Sequence, residues 1–157
     1  MLYFAYGSNL GWDRMKERCP SAEFFCKASL PDYRIDFTRK SNKLNCGVAD
    51  IIWDENNKAY GVIYRIDEVD LGKLDKHEGY IPQGDKNAYK RIEIMVFEED
   101  NREKPITAFT YEVVKKEFGK HKPNKEYKNL IVNGAKYWKL PKDYISFLEN
   151  IETMNGE

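Results

Sequence analysis

Two features of the sequence bring together residue types that could carry out acid–base chemistry beside a bound anion. The first is the run Tyr-Gly-Ser-Asn-Leu at positions 6–10, which follows an apolar segment and precedes an amphipathic one. The second is Glu78, which stands directly before Gly79 at the end of a helical pattern. A carboxylate can move a proton, and a loop that opens a helix offers backbone N–H groups to an anion.

The first run predicts a strand, a sharp turn and a helix over residues 11–18. A helix start carries partial positive charge, and Gly7 allows close approach to the main chain, so the turn suits a carboxylate or a developing oxyanion. Ser8 and Asn9 are also residue types that routinely cap helices. The residues alone therefore leave an anion site and a plain helix cap both open.

Glu78 lies on the apolar side of a predicted helix that begins after Asp67 and stops at Gly79. It follows Leu71 by seven residues and Leu74 by four, a spacing that places its carboxylate on the same inward stripe. Desolvation and the negative end of the helix dipole would raise its pKa toward the value of a general base. A salt bridge or an exposed helix end is the alternative interpretation.

The order of several short motifs resembles the γ-glutamylcyclotransferases, small enzymes that release 5-oxoproline from γ-glutamyl compounds. The residues that carry this resemblance are the segment YFAYGSNL at 3–10, CPSAEFFC at 19–26, GVADI at 47–51, LDKHEG at 74–79 and the stretch 127–151. Together they span nearly the whole chain. The resemblance implies a cyclotransferase that needs no cofactor and no metal.

The resemblance also implies roles for individual residues. It makes Glu78 the general acid/base, and it makes the loop and two tyrosines the substrate-binding group. The substrate-binding candidates are Tyr3, Phe4, Ala5, Tyr6, Gly7, Ser8, Asn9, Leu10, Tyr89 and Tyr127. Because alternate side chains of a strand face opposite ways, some residues of this group must be structural.

The remaining elements predict an α+β fold with a mostly antiparallel sheet in a single domain, residues 1–157. Strands are expected at 22–30 and 33–38, paired as a hairpin, and at 47–53, 60–66, 89–98 and 105–113. A turn is expected at 55–58 and polar loops at 39–45 and 81–87. Two helices are expected within 127–151. The resemblance sharpens this arrangement to a small β-barrel flanked by helices.

Composition excludes several function classes. Lys plus Arg equals Asp plus Glu at 26 each, so no basic field predicts nucleic-acid binding. No apolar run approaches the roughly 20 residues that span a bilayer. Three cysteines without CxxC spacing predict a reduced, cytoplasmic protein without a metal site. We read His77 and His121 as surface residues.

Two hypotheses follow for function. The first is turnover of a γ-glutamyl-amino acid or γ-glutamyl amine to 5-oxoproline and a free amine. The alternative is a non-catalytic protein of the same fold that binds a γ-glutamyl ligand or another partner. The expected partner in either case is a small γ-glutamyl molecule, and the resemblance leaves a homodimer open.

Overall fold

The computed structural model describes residues 1–84 and 86–156, and its centre is a closed barrel of five strands. The strands are β1 (Leu2–Ala5), β2 (Glu23–Ser41), β3 (Cys46–Arg65), β4 (Tyr89–Glu98) and β5 (Pro105–Val113). Around the barrel they follow the order β1, β3, β2, β4, β5. Neighbours are antiparallel except β1 and β5, which are parallel and close the barrel. The predicted α+β barrel is confirmed.

The predicted hairpin between residues 22–30 and 33–38 is wrong, because both segments belong to the single long strand β2. Each half of β2 pairs with β3 instead, from Glu23 opposite Arg65 to Ser41 opposite Cys46. The turn predicted at 55–58 likewise lies within β3 and does not reverse the chain. The loop predicted at 39–45 is shorter, since β2 continues to Ser41.

The turn-forming residues produce a bulge rather than a reversal. The register moves from Tyr33 opposite Trp53 to Pro31 opposite Lys58, so the extra residues bulge out on both strands at one level. Asp32 and Asn56 both have positive φ there, and the Asn56 N–H donates to Asp32 Oδ1 at 3.2 Å. The irregularity bends the two strands together, which lets them curl into the barrel.

Four α-helices flank the barrel: α1 (Trp12–Arg18), α2 (Glu68–His77), α3 (Lys125–Tyr137) and α4 (Lys142–Glu149). All four occur where the sequence predicts them. Within the described residues, no helix combines the length and apolar character that crossing a membrane requires. Asp85, in the predicted loop 81–87, and Glu157 lie outside the described residues.

Helix α3 holds the loop that follows β1. A Cβ atom on Gly134 would lie 2.5 Å from the Leu10 carbonyl carbon, so only glycine permits this approach of helix and loop. Trp138 Nε1 donates to the Leu10 carbonyl at 2.9 Å, and the Tyr64 hydroxyl donates to the Asn9 carbonyl at 2.7 Å. These contacts fix the loop backbone against the barrel end.

Candidate active site

The loop between β1 and α1 is a short 3-10 turn at Ser8–Leu10. The Leu10 N–H donates to the Gly7 carbonyl at 3.0 Å, and the Gly11 N–H donates to the Ser8 carbonyl at 3.1 Å. Helix α1 begins after Gly11, so neither Ser8 nor Asn9 caps it. Their side chains are therefore available for other contacts.

Asn9 is buried and joins three parts of the site. Its Nδ2 donates to the Tyr3 hydroxyl at 3.0 Å and to Glu78 Oε1 at 3.1 Å. Its Oδ1 accepts from a terminal guanidinium nitrogen of Arg18 at 3.1 Å. The loop, the barrel interior and helix α1 thus meet at one amide, which fixes the position of Glu78.

Glu78 follows the last residue of α2, where its side chain is only 16% exposed. Burial raises its pKa above the ordinary value, and the positive charges of Arg18 and Arg14 and the Asn9 hydrogen bond oppose that rise. The guanidinium of Arg18 lies 4.0 Å from Oε1. A largely buried carboxylate with a raised pKa has the properties that a general base needs near neutral pH.

Two connected cavities meet at Glu78. The inner pocket has a volume of about 30 Å³ and lies among Tyr3, Gly7, Asn9 and other residues of the barrel end. The outer cleft has a volume of about 420 Å³ and opens between α1, the end of α2 and the β2–β3 connection. The residues that line both cavities are Ser8, Glu78, Tyr89 and Tyr127.

The inner pocket is walled by phenol groups that stay protonated. Its tyrosines are Tyr3, Tyr6, Tyr89, Tyr111 and Tyr127. Burial is the largest cause that raises the pKa of each of them. For Tyr127, where contacts with Ala49 and Ser8 oppose the rise, the pKa is raised to about 12. The pocket therefore offers neutral hydroxyl groups and little water.

Tyr89 and Tyr127 hold opposite ends of one residue, Ala49. The Tyr89 hydroxyl donates to the Ala49 carbonyl at 2.6 Å, whereas the Tyr127 hydroxyl accepts from the Ala49 N–H at 3.1 Å. Tyr89 has therefore used its only proton, but Tyr127 retains its own for another acceptor. The two tyrosines are not chemically equivalent.

The structure brings most of the sequence-predicted site residues together. Glu78 and seven of the substrate-binding candidates line the cavities: Tyr3, Tyr6, Gly7, Ser8, Asn9, Tyr89 and Tyr127. Phe4, Ala5 and Leu10 are fully buried and line neither cavity. The Phe4 carbonyl accepts from Thr110 Oγ1 at 2.7 Å, and Leu10 packs beneath α3. These three residues belong to the hydrophobic core rather than to the cavity walls.

Sequence reasoning missed the residues that hold α2 in place. Asp75, one helical turn before Glu78, accepts from the Tyr111 hydroxyl at 2.5 Å and lies 3.5 Å from Arg91 Nε. It also missed the cations of the outer cleft, among them Arg14 and Arg18. The two arginines are four residues apart on α1, directly after the loop, and this spacing could have indicated that they share one face of the helix. In the described part of the chain, no group of three or more His, Cys, Asp or Glu side chains could hold a metal ion.

Comparison with known proteins shows the family to which this chain belongs. Residues 58–148 match the model of the AIG2-like family. The chain is 36% identical over 155 residues to the γ-glutamylcyclotransferase of Homo sapiens, covering 96% of this chain and 78% of that protein. The Mus musculus γ-glutamylcyclotransferase matches with the same identity and coverage. The chain belongs to the γ-glutamylcyclotransferase family.

Solved structures agree with this assignment. A structure described as a γ-glutamyl cyclotransferase superposes with a TM-score of 0.88 at 34% identity, covering 99% of this chain and 89% of that one. YkqA from Bacillus subtilis superposes with a TM-score of 0.75 at 23% identity, covering 98% of this chain and 55% of that one, and shows the fold alone.

Proposed function

We propose that this protein is a cofactor-independent cyclotransferase that converts a γ-glutamyl-amino acid or γ-glutamyl amine to 5-oxoproline and a free amine. The observation that carries the proposal is the position of Glu78, a largely buried carboxylate of raised pKa that lines both the inner pocket and the outer cleft. In this reaction the substrate's own α-amine attacks its γ-carbonyl, so the nucleophile arrives already tethered. The protein must supply a base and an anion site.

The proton path runs through Glu78. Its carboxylate takes one proton from the substrate's α-ammonium, and the freed amine forms a bond to the γ-carbonyl carbon. The carbonyl electrons move to oxygen, which gives a tetrahedral oxyanion. Glu78 then gives that proton to the leaving nitrogen, the oxyanion re-forms the carbonyl, and the original amide C–N bond breaks. The ionised Glu78 takes the second proton, which the lactam nitrogen still carries, and passes it to the released amine. Glu78 ends ionised, and the two protons lost by the α-nitrogen are those gained by the leaving nitrogen.

The inner pocket supplies the anion site. At about 30 Å³ it is far smaller than the outer cleft of about 420 Å³, so in this proposal one polar group of the substrate enters the inner pocket and the bulk lies in the cleft. Tyr127 keeps a proton to donate, and because burial raises its pKa to about 12 the hydroxyl stays protonated beside a developing oxyanion. Gly7 and Ser8 of the loop line the same space, and we propose that their backbone N–H groups add to the anion site.

The test is direct. The purified protein is incubated with γ-glutamyl dipeptides, glutathione and γ-glutamyl-ε-lysine, and 5-oxoproline is followed by mass spectrometry. We expect lactam and free amine in equal amounts from at least one substrate class. Absence of lactam from every member of the panel, with tight binding of a γ-glutamyl ligand, would instead support the non-catalytic binding protein.

The two pocket tyrosines should differ when each loses its hydroxyl. Tyr127→Phe removes the free donor, together with the acceptor of the Ala49 N–H, and we expect kcat to fall about 100-fold, the low end for loss of an oxyanion donor. Tyr89→Phe removes only a bond to a backbone carbonyl, which should lower stability by about 1 kcal/mol and leave kcat within about 3-fold. Steady-state kinetics and thermal unfolding separate the two effects. Equal loss of kcat in both variants would contradict the donor role of Tyr127.

Arg18 should shift the acid limb of the pH profile that Glu78 produces. Glu78 must enter the reaction ionised, so kcat/KM should fall as pH drops through its pKa. Because the positive charge of Arg18 lowers that pKa, Arg18→Gln should move the acid limb to higher pH. Arg18→Lys, which keeps the charge, should move it less. An acid limb that stays in place in Arg18→Gln would assign it to another group.

Cellular location and assembly stay predictions of the sequence. The cysteines Cys19, Cys26 and Cys46 are free and buried, which supports a reducing, cytoplasmic setting. A homodimer is tested by light scattering of the purified protein.

A further inference from the structure

The outer cleft carries more positive charge than the reaction centre uses. Two of its cationic side chains, Arg14 and Arg18, come from α1, and two, Arg39 and Lys43, come from the end of β2 and the connection to β3. Its carboxylates are Glu78 and Glu17. The cations approach the space beside Glu78 from separate elements, so their charges meet only in the folded protein.

Arg18 is the one of these cations that has protein partners in the described ranges. It bonds to Asn9 and lies near Glu78. Over residues 1–84 and 86–156, no hydrogen bond or ion pair engages the side chain of Arg14, Arg39 or Lys43. The Nε of Arg14 is buried without a hydrogen-bond partner. A buried guanidinium nitrogen left without a partner is costly, and a bound anion would remove that cost.

Electrostatic interactions place the charges of Arg14 and Arg39 beside the reaction centre. Burial, followed by the like charge of Arg18, lowers the pKa of Arg14. Arg39 lies near enough to the pocket floor for its charge to oppose the burial-driven rise in the pKa of Tyr89. Both guanidinium groups therefore act on the space next to the reacting atoms rather than on distant solvent.

The excess positive charge of the outer cleft matches a leaving group that carries two carboxylates. The three unengaged cations set against Glu17 leave two net positive charges in the outer cleft. A leaving amino acid with a neutral side chain carries one carboxylate, whereas one with an acidic side chain carries two. A leaving amine without a carboxylate would neutralise neither charge. The cleft, at about 420 Å³, has room for the larger group.

We propose that the outer cleft selects γ-glutamyl compounds whose leaving amino acid has an acidic side chain, with Arg14 and Arg39 as its carboxylate-binding residues. This inference rests on the proposed cyclotransferase function. Guanidinium groups suit the task because they bind carboxylates through paired hydrogen bonds. Arg39 is the specificity-determining residue to test first, because it does not contact Glu78 or its partners.

The experiment compares substrates that differ only in charge. Release of 5-oxoproline is measured for γ-glutamyl-aspartate against γ-glutamyl-asparagine, and for γ-glutamyl-glutamate against γ-glutamyl-glutamine. We expect kcat/KM to favour the acidic member of each pair by about 10- to 100-fold, the range for a hydrogen bond to a charged group. Arg39→Gln should remove most of that preference by raising KM for the acidic substrates.

A matched control and a second readout keep the inference separate from the proposed function. Arg65→Gln, at an exposed arginine that stacks on Phe25 outside the cleft, should leave the preference intact. Calorimetry with the Glu78→Gln protein compares affinities for the same pairs without turnover. Equal affinity and equal kcat/KM within each pair would overturn the inference and leave the cyclotransferase standing. Preferential binding of acidic ligands, lost in Arg39→Gln, but no lactam from wild type would support the cleft assignment and overturn the proposed reaction.

Discussion

Glu78→Gln should lower kcat about 10²- to 10⁴-fold, the range in which a positioned general acid–base group contributes. Glutamine keeps the shape of the side chain and can still accept the hydrogen bond from Asn9 Nδ2. It cannot take a proton from the substrate's ammonium group. The loss should therefore appear in kcat with little change in KM, as measured by 5-oxoproline release under saturating substrate.

The same variant should not be less stable at neutral pH. Because burial raises the pKa of Glu78 in the folded state, the native protein binds this proton more tightly than the unfolded chain. Stability from this group is present at low pH and is lost as pH rises through the raised pKa. Glutamine avoids that loss, so Glu78→Gln should unfold at the same or a higher temperature at pH 7.

A control on the same helix separates chemistry from folding. Glu68 lies in the exposed first turn of α2, and Glu68→Gln should leave kcat within about 2-fold, as surface substitutions usually do. If Glu78→Gln folds normally but turns over at the wild-type rate, Glu78 is not the base.

Asp50→Asn should be the most destabilising of the substitutions considered, at about 3 kcal/mol. Asp50 is fully buried, and its carboxylate accepts from four donors. Oδ1 accepts from the N–H groups of Ile51 and Val113 at 2.8 Å each, which ties β3 to β5. Oδ2 accepts from Thr38 Oγ1 at 2.7 Å and from Lys116 Nζ at 2.8 Å. An asparagine amide would turn its NH₂ group toward the ammonium of Lys116.

The measurement is thermal unfolding, where this loss corresponds to a fall of roughly 10 °C for a chain of this size. The matched control is Asp54→Asn on the same strand. Asp54 is 40% exposed and pairs with Arg34 at 3.3 Å, so its loss should cost less than about 1 kcal/mol. Equal melting temperatures for the two variants would mean that the Asp50 network does not hold the barrel closed.

Local sequence signals predicted the elements near the site well. The apolar run before Gly7, the helix stop at Gly79 and the spacing of Glu78 from Leu74 all depend on residues close together in the chain. They were enough to locate the loop and the candidate base. The strands 89–98 and 105–113 were also found, because their alternation and the turn between them are local.

Long-range features were not predictable in the same way. The sequence around Pro31 and Asp32 has the properties of a turn, and only the pairing with β3 decides that it forms a bulge. The roles of Asp75, Arg14 and Arg39 depend on which elements meet at the barrel end. In a sequence, a charged residue is interpreted as a solvated surface residue unless its neighbours in the fold are known. No local pattern could therefore assign a role to these side chains.

The contacts that hold Glu78 also distinguish its two carboxylate oxygens as proton carriers. Asn9 donates to Oε1 and Arg18 lies 4.0 Å from the same atom, so in the proposed reaction Oε2 is the oxygen that carries the moving proton. In the tetrahedral intermediate the attacking and departing nitrogens are bonded to the same carbon. A single oxygen can therefore reach both, so the proton can change nitrogens without any rotation of the carboxylate. In the proposed reaction the contacts to one oxygen hold the carboxylate still, and the other oxygen moves the proton from the nitrogen that attacks to the nitrogen that leaves.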